Sequence, residues 1–208
     1  NQARLVYVSG GGTHTINIEN ATFTNNSVKG CGAIFLMDQS NAGNASAINV
    51  YGGTFTDNAC LLSSTSYGSG SIARLKSPGA LHFYGGTFAN NTTAAGKNYE
   101  GIYLRDDVSK KLGSNVYVHK LSADLNVYLT PSSAKVFMSR IVVDSALTHT
   151  ISVYIADNRV PAKGMPLVVG TDEYKLSEAD LAMVKSANPK ATFYLDTENN
   201  AICIAKAE

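Results

Sequence analysis

The sequence predicts an all-β chain: a right-handed parallel β-helix with three strands per coil, closed by a small C-terminal α+β cap. Three observations predict it. An eleven-residue phrase occurs three times, as INIENATFTNN at 16–26, INVYGGTFTDN at 48–58 and LHFYGGTFANN at 81–91. A further β-rich segment follows each copy. The end of the chain lacks the phrase and carries the marks of one helix and one hairpin. The Phe residues of the phrase, Phe23, Phe55 and Phe88, lie 32 and 33 residues apart. A fixed period of that size belongs to stacked units that share a core with their neighbours.

Each position in the phrase has a structural duty. Ile16, Ile48 and Leu81, with Ile18, Val50 and Phe83, flank the polar Asn17, Asn49 and His82. This alternation is a half-buried strand. Asn20-Ala21, Gly52-Gly53 and Gly85-Gly86 follow, residues that suit a tight bend. Thr22, Thr54 and Thr87 then point outward, and Phe23, Phe55 and Phe88 inward. Strands stacked about 4.8 Å apart would turn the Phe rings into a column. Asn26, Asn58 and Asn91 close the phrase and would form an amide ladder. The third strand of each period is read at 32–37, 71–75 and 101–104. Parallel crossovers are right-handed, which sets the expected hand.

Residues 1–157 form the predicted helix, with three large coils to about 106 and one or two narrower coils beyond. The short β-rich runs 116–118, 125–129, 135–138, 141–143 and 151–155 supply the narrower coils. Residues 158–208 form the predicted cap. Leu167-Val168-Val169 reads as a strand. Ser177 and Asp180 make a capping box, with Leu176 and Leu181 as its staple, opening a helix to about Ala187. Runs 192–196 and 201–205 read as a hairpin, and the whole would cover an otherwise bare strand edge.

The composition narrows the function classes. Charged residues are 16% of the 208, and the net charge is +1. That offers a nucleic-acid backbone nothing to hold. No apolar run is long enough for a membrane helix, so no membrane insertion of this segment is expected. The chain opens at Asn1-Gln2-Ala3-Arg4 with no signal peptide and reads as a trimmed segment of a longer protein. Cys31, Cys60 and Cys203 are an odd count and read as buried thiols, with a Cys31–Cys60 bridge as the alternative.

No catalytic residue, metal ligand or cofactor is predicted. Asp106-Asp107, near Glu100 and Arg105, is the best acidic cluster, but neighbours on a strand face opposite ways. His14, His82, His119 and His149 lack metal-ligand spacing. Several Asn-x-Ser/Thr sites, such as those at Asn20, Asn25, Asn44, Asn90 and Asn91, fall on or beside the structural Asn positions. The binding candidates are Tyr51 and Tyr84, which share a repeat position, and the loops 38–47, 60–70 and 92–100.

The tetrads Phe23-Thr24-Asn25-Asn26, Phe55-Thr56-Asp57-Asn58 and Phe88-Ala89-Asn90-Asn91 fit F-x-x-N. Gly30-Cys31-Gly32-Ala33-Ile34 carries a G-G-A-I-type partner motif, from which Gly70-Ser71-Ile72 and Glu100-Gly101-Ile102 depart. Over residues 14–106 the chain therefore resembles bacterial polymorphic outer-membrane and adhesin-type β-helix proteins. The resemblance implies secretion, display at the cell surface and an adhesive role, with host or microbial glycans or surface proteins as partners. Self-association is a further possibility. Two function classes stand: a non-enzymatic surface module, and a polysaccharide-binding or polysaccharide-cleaving β-helix.

Overall fold

The computed structural model describes residues 5–28, 34–38, 45–61, 70–76, 78–93, 101–106, 112–130, 138–155 and 160–206. The described residues are nearly all β, with one short helix. Two large sheets run its length. Sheet A takes β1 (Val6–Ser9), β5 (Phe35–Asp38), β9 (Ala73–Lys76), β13 (Ile102–Arg105), β15 (Leu125–Thr130), β17 (Ile151–Ile155) and β19 (Val184–Ser186), in that order. Sheet B takes β2 (Thr15–Ile18), β6 (Ser46–Val50), β10 (Gly79–Phe83), β14 (Ser114–Val118), β16 (Arg140–Val143) and β18 (Pro166–Gly170). Sheet C holds β3 (Ala21–Thr24), β7 (Gly53–Thr56) and β11 (Thr87–Ala89); sheet D holds β4 (Ser27–Val28), β8 (Ala59–Cys60) and β12 (Thr92–Thr93). All these neighbours are parallel.

From β1 to β12 the chain visits A, B, C and D in order, three times. From β13 to β19 the described strands alternate between A and B only, and partners in adjacent passes lie 25 to 27 residues apart except at the last step, where β17 and β19 lie 33 apart. The shorter period leaves no chain for the strands of sheets C and D. Three passes through these two sheets alone are present among the described residues, one more than the sequence suggested. The extra one comes from β18 and β19, which the sequence places in the cap. Leu167 and Val168 are fully buried, so β18 extends the inward apolar rows of sheet B. The run 135–138 lies mostly outside the described residues, as do Cys31, Asp107, Glu100, Asn44 and most of the three long loops. Cys60 and Cys203 are buried.

Parallel, in-register pairing sets like on like. Ile18, Val50, Phe83, Val118 and Val143 form one inward row, and Ile48, Leu81, Val116, Ile141 and Val168 another, all at most 7% exposed. The Phe column joins sheet C to this core. Phe23 stacks on Phe55 at 5.4 Å, and Phe55 on Phe88 at 4.6 Å. Phe35 and Phe83 meet the column edge-on, at 5.7 Å from Phe55 and 5.1 Å from Phe88. The middle of sheet A is buried on both faces: Leu36, Arg74, Tyr103 and Tyr128, on its outer row, are at most 8% exposed, while Tyr7 at the end of that row is 45% exposed. Its strands accordingly read as unbroken runs such as FLM and IYL rather than as alternation.

The two polar residues that end the phrase divide the corner between them. Asn25, Asp57 and Asn90 hold φ of 57°, 57° and 52°, a left-handed conformation that Asn and Asp tolerate best after glycine. The next residues form the ladder. Asn26 Nδ2 donates to Asn58 Oδ1, and Asn58 Nδ2 to Asn91 Oδ1, each at 2.9 Å. The same oxygens accept from the Asn26 and Asn58 amides at 3.2 Å. Asn58 Nδ2 also reaches the Phe23 carbonyl at 2.9 Å, and Asn91 Nδ2 the Phe55 carbonyl at 2.8 Å. Asn58 is fully buried, and its side chain satisfies the Asn26 amide and the Phe23 carbonyl of one neighbouring pass and bonds the Asn91 side chain of the other. At the bend before the Phe, Gly53 has φ of +116°, and a Cβ there would meet the Ala21 carbonyl at 2.4 Å.

The tail closes one edge of sheet B. β20 (Ala191–Asp196) and β21 (Ala201–Lys206) pair antiparallel, and β21 lies antiparallel on β18. Helix α1 (Glu178–Met183) begins with the expected capping box of Ser177 and Asp180. It ends four residues before the predicted Ala187. Val184, β-branched and 4% exposed, is taken instead by the edge of β17, pairing with Ile151. Strand pairing there satisfies a ladder that another helical turn would leave open. Asp180, 2% exposed, accepts from the Leu147 amide at 3.0 Å, the Tyr174 hydroxyl at 2.8 Å, and the Ser177 amide and hydroxyl at 2.9 and 2.6 Å. Burial alone would raise its pKa; these donors overcome it and hold the carboxyl below its ordinary 3.8. Burial and the bond to Asp180 push the Tyr174 hydroxyl up to about 12.

Phe55→Ala is expected to cost about 3–5 kcal/mol, and Phe23→Ala clearly less, because Phe23 is only half-buried and has one ring neighbour in the column. Urea unfolding midpoints measure both; equal costs would contradict the column as a shared core. A depressed carboxylate pKa gives stability that is complete above the ordinary value and lost as pH falls below it. Thermal unfolding at pH 7 and pH 3 should therefore show Asp180→Asn less stable than the native chain at pH 7, with the gap narrowed at pH 3. An unchanged gap would contradict the assignment.

Candidate functional site

On the outer face of sheet B, register carries the side chains of successive strands into columns. One step past each strand end, Tyr51, Tyr84, His119 and Asp144 follow Val50, Phe83, Val118 and Val143, which are aligned partners. Backbone bonds hold this extra step: Tyr51 N to Ile18 O at 2.8 Å, Tyr84 N to Val50 O at 2.9 Å and His119 N to Phe83 O at 3.0 Å. One residue inside the strand end, Asn17, Asn49, His82 and Tyr117 form the neighbouring column. Asn49 Nδ2 donates to Asn17 Oδ1 at 2.8 Å, so the first rungs are amides. From β10 the rungs become rings.

The two columns meet in a checkerboard. Tyr84 stacks on Tyr51 at 4.7 Å and on His119 at 4.0 Å, with the last pair 1° from coplanar. His82 stacks on Tyr117 at 4.2 Å and 3°. The two histidines touch across the diagonal, with His82 Nδ1 and His119 Nε2 3.1 Å apart. Asp144 Oδ2 takes the other side of His119, hydrogen-bonded to Nδ1. An Asp–His–His relay thus lies between two tyrosine rings. Burial, then the neighbouring His119, lowers the His82 pKa to about 4 against the partial opposition of Asp144. Burial, then Tyr51 and Asp144, pushes the Tyr84 hydroxyl up. With Asp144 accepting from Nδ1–H, a neutral His119 presents its Nε2 lone pair to His82.

The structure brings the predicted candidates Tyr51 and Tyr84 together, 47% and 37% exposed. Their geometry restricts what they can do. The rings lie face to face, so the faces they turn to each other are closed to solvent. A sugar ring stacks on a face, and within this stack Tyr84 has both faces covered. The sequence places His82 on the outward polar row and sets both histidines aside for want of metal-ligand spacing, and it does not name Asp144. The separation of 37 residues between the histidines falls outside the 32–33 spacing of the phrase. One signal existed: His82-Phe83-Tyr84 and Tyr117-Val118-His119 are mirror-image tripeptides on neighbouring strands.

The acidic candidate resolves differently. Asp106 is 9% exposed and accepts from Met138 N at 2.8 Å, Ser139 N at 3.0 Å and the Ser139 hydroxyl. It fastens one pass to the next, the role that Asn58 has earlier in the chain. A polar cleft of about 250 Å³ opens where sheets C and D stop, lined by Asn90, Asn91, Thr92, Asp124 and Asn126 among others. Asp124 accepts from Thr150 N at 2.8 Å and is the one carboxylate in the described lining. Comparison with family models, curated proteins and solved structures finds no match to this chain.

Stacked aromatic pairs contribute about 0.5–1.5 kcal/mol each. Tyr84, with two ring neighbours in its own column, should lose about 1–3 kcal/mol on substitution by Ala, and Tyr51, with one, about half of that. Denaturation midpoints compare them directly, and a Tyr51→Ala cost as large as that of Tyr84→Ala would contradict the stack.

Proposed function

We propose that the chain is a right-handed parallel β-helix acting as a non-enzymatic, extracellular display or adhesin-type module of a larger bacterial surface protein. The observation that carries this reading is the register. Adjacent passes pair in parallel, so the Phe column, the Asn ladder and the Tyr–His columns all run along one axis. Side chains used in this way build a rigid rod and leave binding to loops and exposed edges. The antiparallel strands β20 and β21 act as its cap, covering the end of sheet B. The low charge and the F-x-x-N repeat agree with a surface setting. The partners are host or microbial glycans or surface proteins, and self-association would use β1 to β4, the end strands of the four sheets among the described residues.

The rival reading is a polysaccharide-cleaving β-helix. Glycoside hydrolysis takes two carboxylates at a set separation. The cleft beside Asp124 offers one among the described residues, and Asp106 is occupied by its own backbone contacts. The test is a polysaccharide lyase and hydrolase screen run beside a glycan array. Retained glycans or surface proteins without turnover are the expected result. Turnover that disappears in Asp124→Asn would overturn the non-enzymatic reading.

A further inference from the structure

The Asn ladder has a direction, and it ends at a cleft. Each rung gives a side-chain N–H to the oxygen of the rung after it, Asn26 to Asn58 and Asn58 to Asn91. Sheets C and D stop at β11 and β12 among the described residues, so Asn91 is the last rung. We propose that the polar cleft beside Asn91 binds an extended peptide segment carrying an asparagine, which pairs with the last corner as a fourth rung. This goes beyond the scaffold role and does not depend on the surface setting.

The first argument is the set of groups the last corner leaves over. Asn58 Nδ2 uses both its protons, on the Phe23 carbonyl and on Asn91 Oδ1. Asn91, 8% exposed, places one on the Phe55 carbonyl, and no described residue accepts the other. The Asn26 and Asn58 amides donate to the oxygen of the next rung. The Asn25 and Asp57 amides donate to the carbonyls of Thr56 and Ala89 at 3.2 and 3.1 Å. Among the described residues the Asn90 and Asn91 amides meet no such acceptor. The Asn26 and Asn58 carbonyls accept from the Ala59 and Thr92 amides at 2.8 Å, whereas no described residue donates to the Asn91 carbonyl. These groups ask for one pattern. It is an Asn oxygen for two donors, a carbonyl two residues before that Asn, and an N–H one residue after it. Main-chain bonds of this kind hold a peptide on a sheet edge, and the side chain gives the selectivity.

The second argument is the space. The cleft of about 250 Å³ is lined by the whole corner from Phe88 to Thr92, with Asp124 and Asn126 of the next pass. The Phe end of the phrase is already closed. Leu121, 9% exposed, lies with Phe83 and Phe88 around a small cavity, and the Ser122 hydroxyl bonds the Gly86 carbonyl. The segment that fits is therefore the x-x-N end alone. Sheets A and B continue past this corner, so an intact coil of a second copy cannot stack on it. The third argument is charge. Asp124 gives one oxygen to the Thr150 amide and is the one carboxylate in the described lining. It repels an acidic segment and suits a neutral amide.

Peptide titration of the full chain tests the site, with calorimetry for stoichiometry and ¹H–¹⁵N spectra for location. The probe is acetylated, amidated Thr-Asn-Asn-Ser-Val, the sequence of residues 24–28, which carries the corner without the Phe. One equivalent should bind and shift the backbone amides of Asn90 and Asn91 and the side-chain amide of Asn91. The same peptide with Asn26→Ala leaves two donors unmet and should bind about tenfold more weakly or worse. Asn91→Asp in the protein keeps the oxygen that accepts from Asn58 and removes the side-chain donor, and should weaken binding likewise. The proposal is overturned by the absence of saturable binding, by equal binding of the Ala peptide, or by shifts confined to β3 and β4. It is also overturned if N-acetylglucosamine produces the Asn90 and Asn91 shifts more strongly than the peptide, or if self-association produces them without it. The two peptides on the wild-type chain decide the matter even where Asn91→Asp fails to fold.

Discussion

In-register parallel pairing is the constraint on which the rest of this structure depends. When Leu81 pairs with Ile48, and Ile48 with Ile16, each side chain must satisfy its counterparts above and below. Only a few residue types do well when stacked on their own kind. Aliphatic side chains close-pack, aromatic rings stack, and amides bond to amides. A column of like charges would repel itself, which fits a charged content of 16%. The same rule sets function apart from scaffold: a residue that departs from its column has been released from stacking or given another partner.

The corner after the Phe shows how fully the rule is met. Backbone groups that leave a sheet lose their ladder partners, and a buried unpaired group costs about 1–3 kcal/mol. Asn58 answers this with one side chain. It accepts from the pass on one side and donates to a backbone carbonyl there and to an amide on the other. Where the phrase is lost, other residues take over the duty. Asp106 holds Met138 and Ser139, Asp180 holds Leu147, and Asn188 reaches the Ile155 carbonyl at 2.8 Å. Asp106, part of the best acidic cluster in the sequence, is thus a backbone fastener.

What repeats was legible in the sequence, and what departs from the repeat was not. The Phe column, the Asn positions and the alternation on sheet B are written three times over. The αL corner was half legible: the Asn/Asp/Asn column at 25, 57 and 90 was seen, but its separate duty emerges only with the backbone angles. The helix was read too long because Ser177 and Asp180 mark its start strongly, while its end is decided by the edge of β17, far away in sequence. The pairing of His82 with His119 depends on the exact offset between the third phrase and a strand that lacks the phrase. A period of 32–33 cannot supply that offset, because partners on β10 and β14 lie 35 residues apart.

Excision of one whole pass tests the stacking account most directly. Removing residues 49–81 joins Ile48 to His82 at equivalent register positions, because Ile48 and Leu81 are partners. It sets Phe23 on Phe88 and Asn26 on Asn91. The account predicts a shorter protein that still folds, with β-rich circular dichroism and one cooperative unfolding transition at reduced temperature. A chain without a cooperative transition after this cut would contradict the claim that the passes are interchangeable layers held by their register.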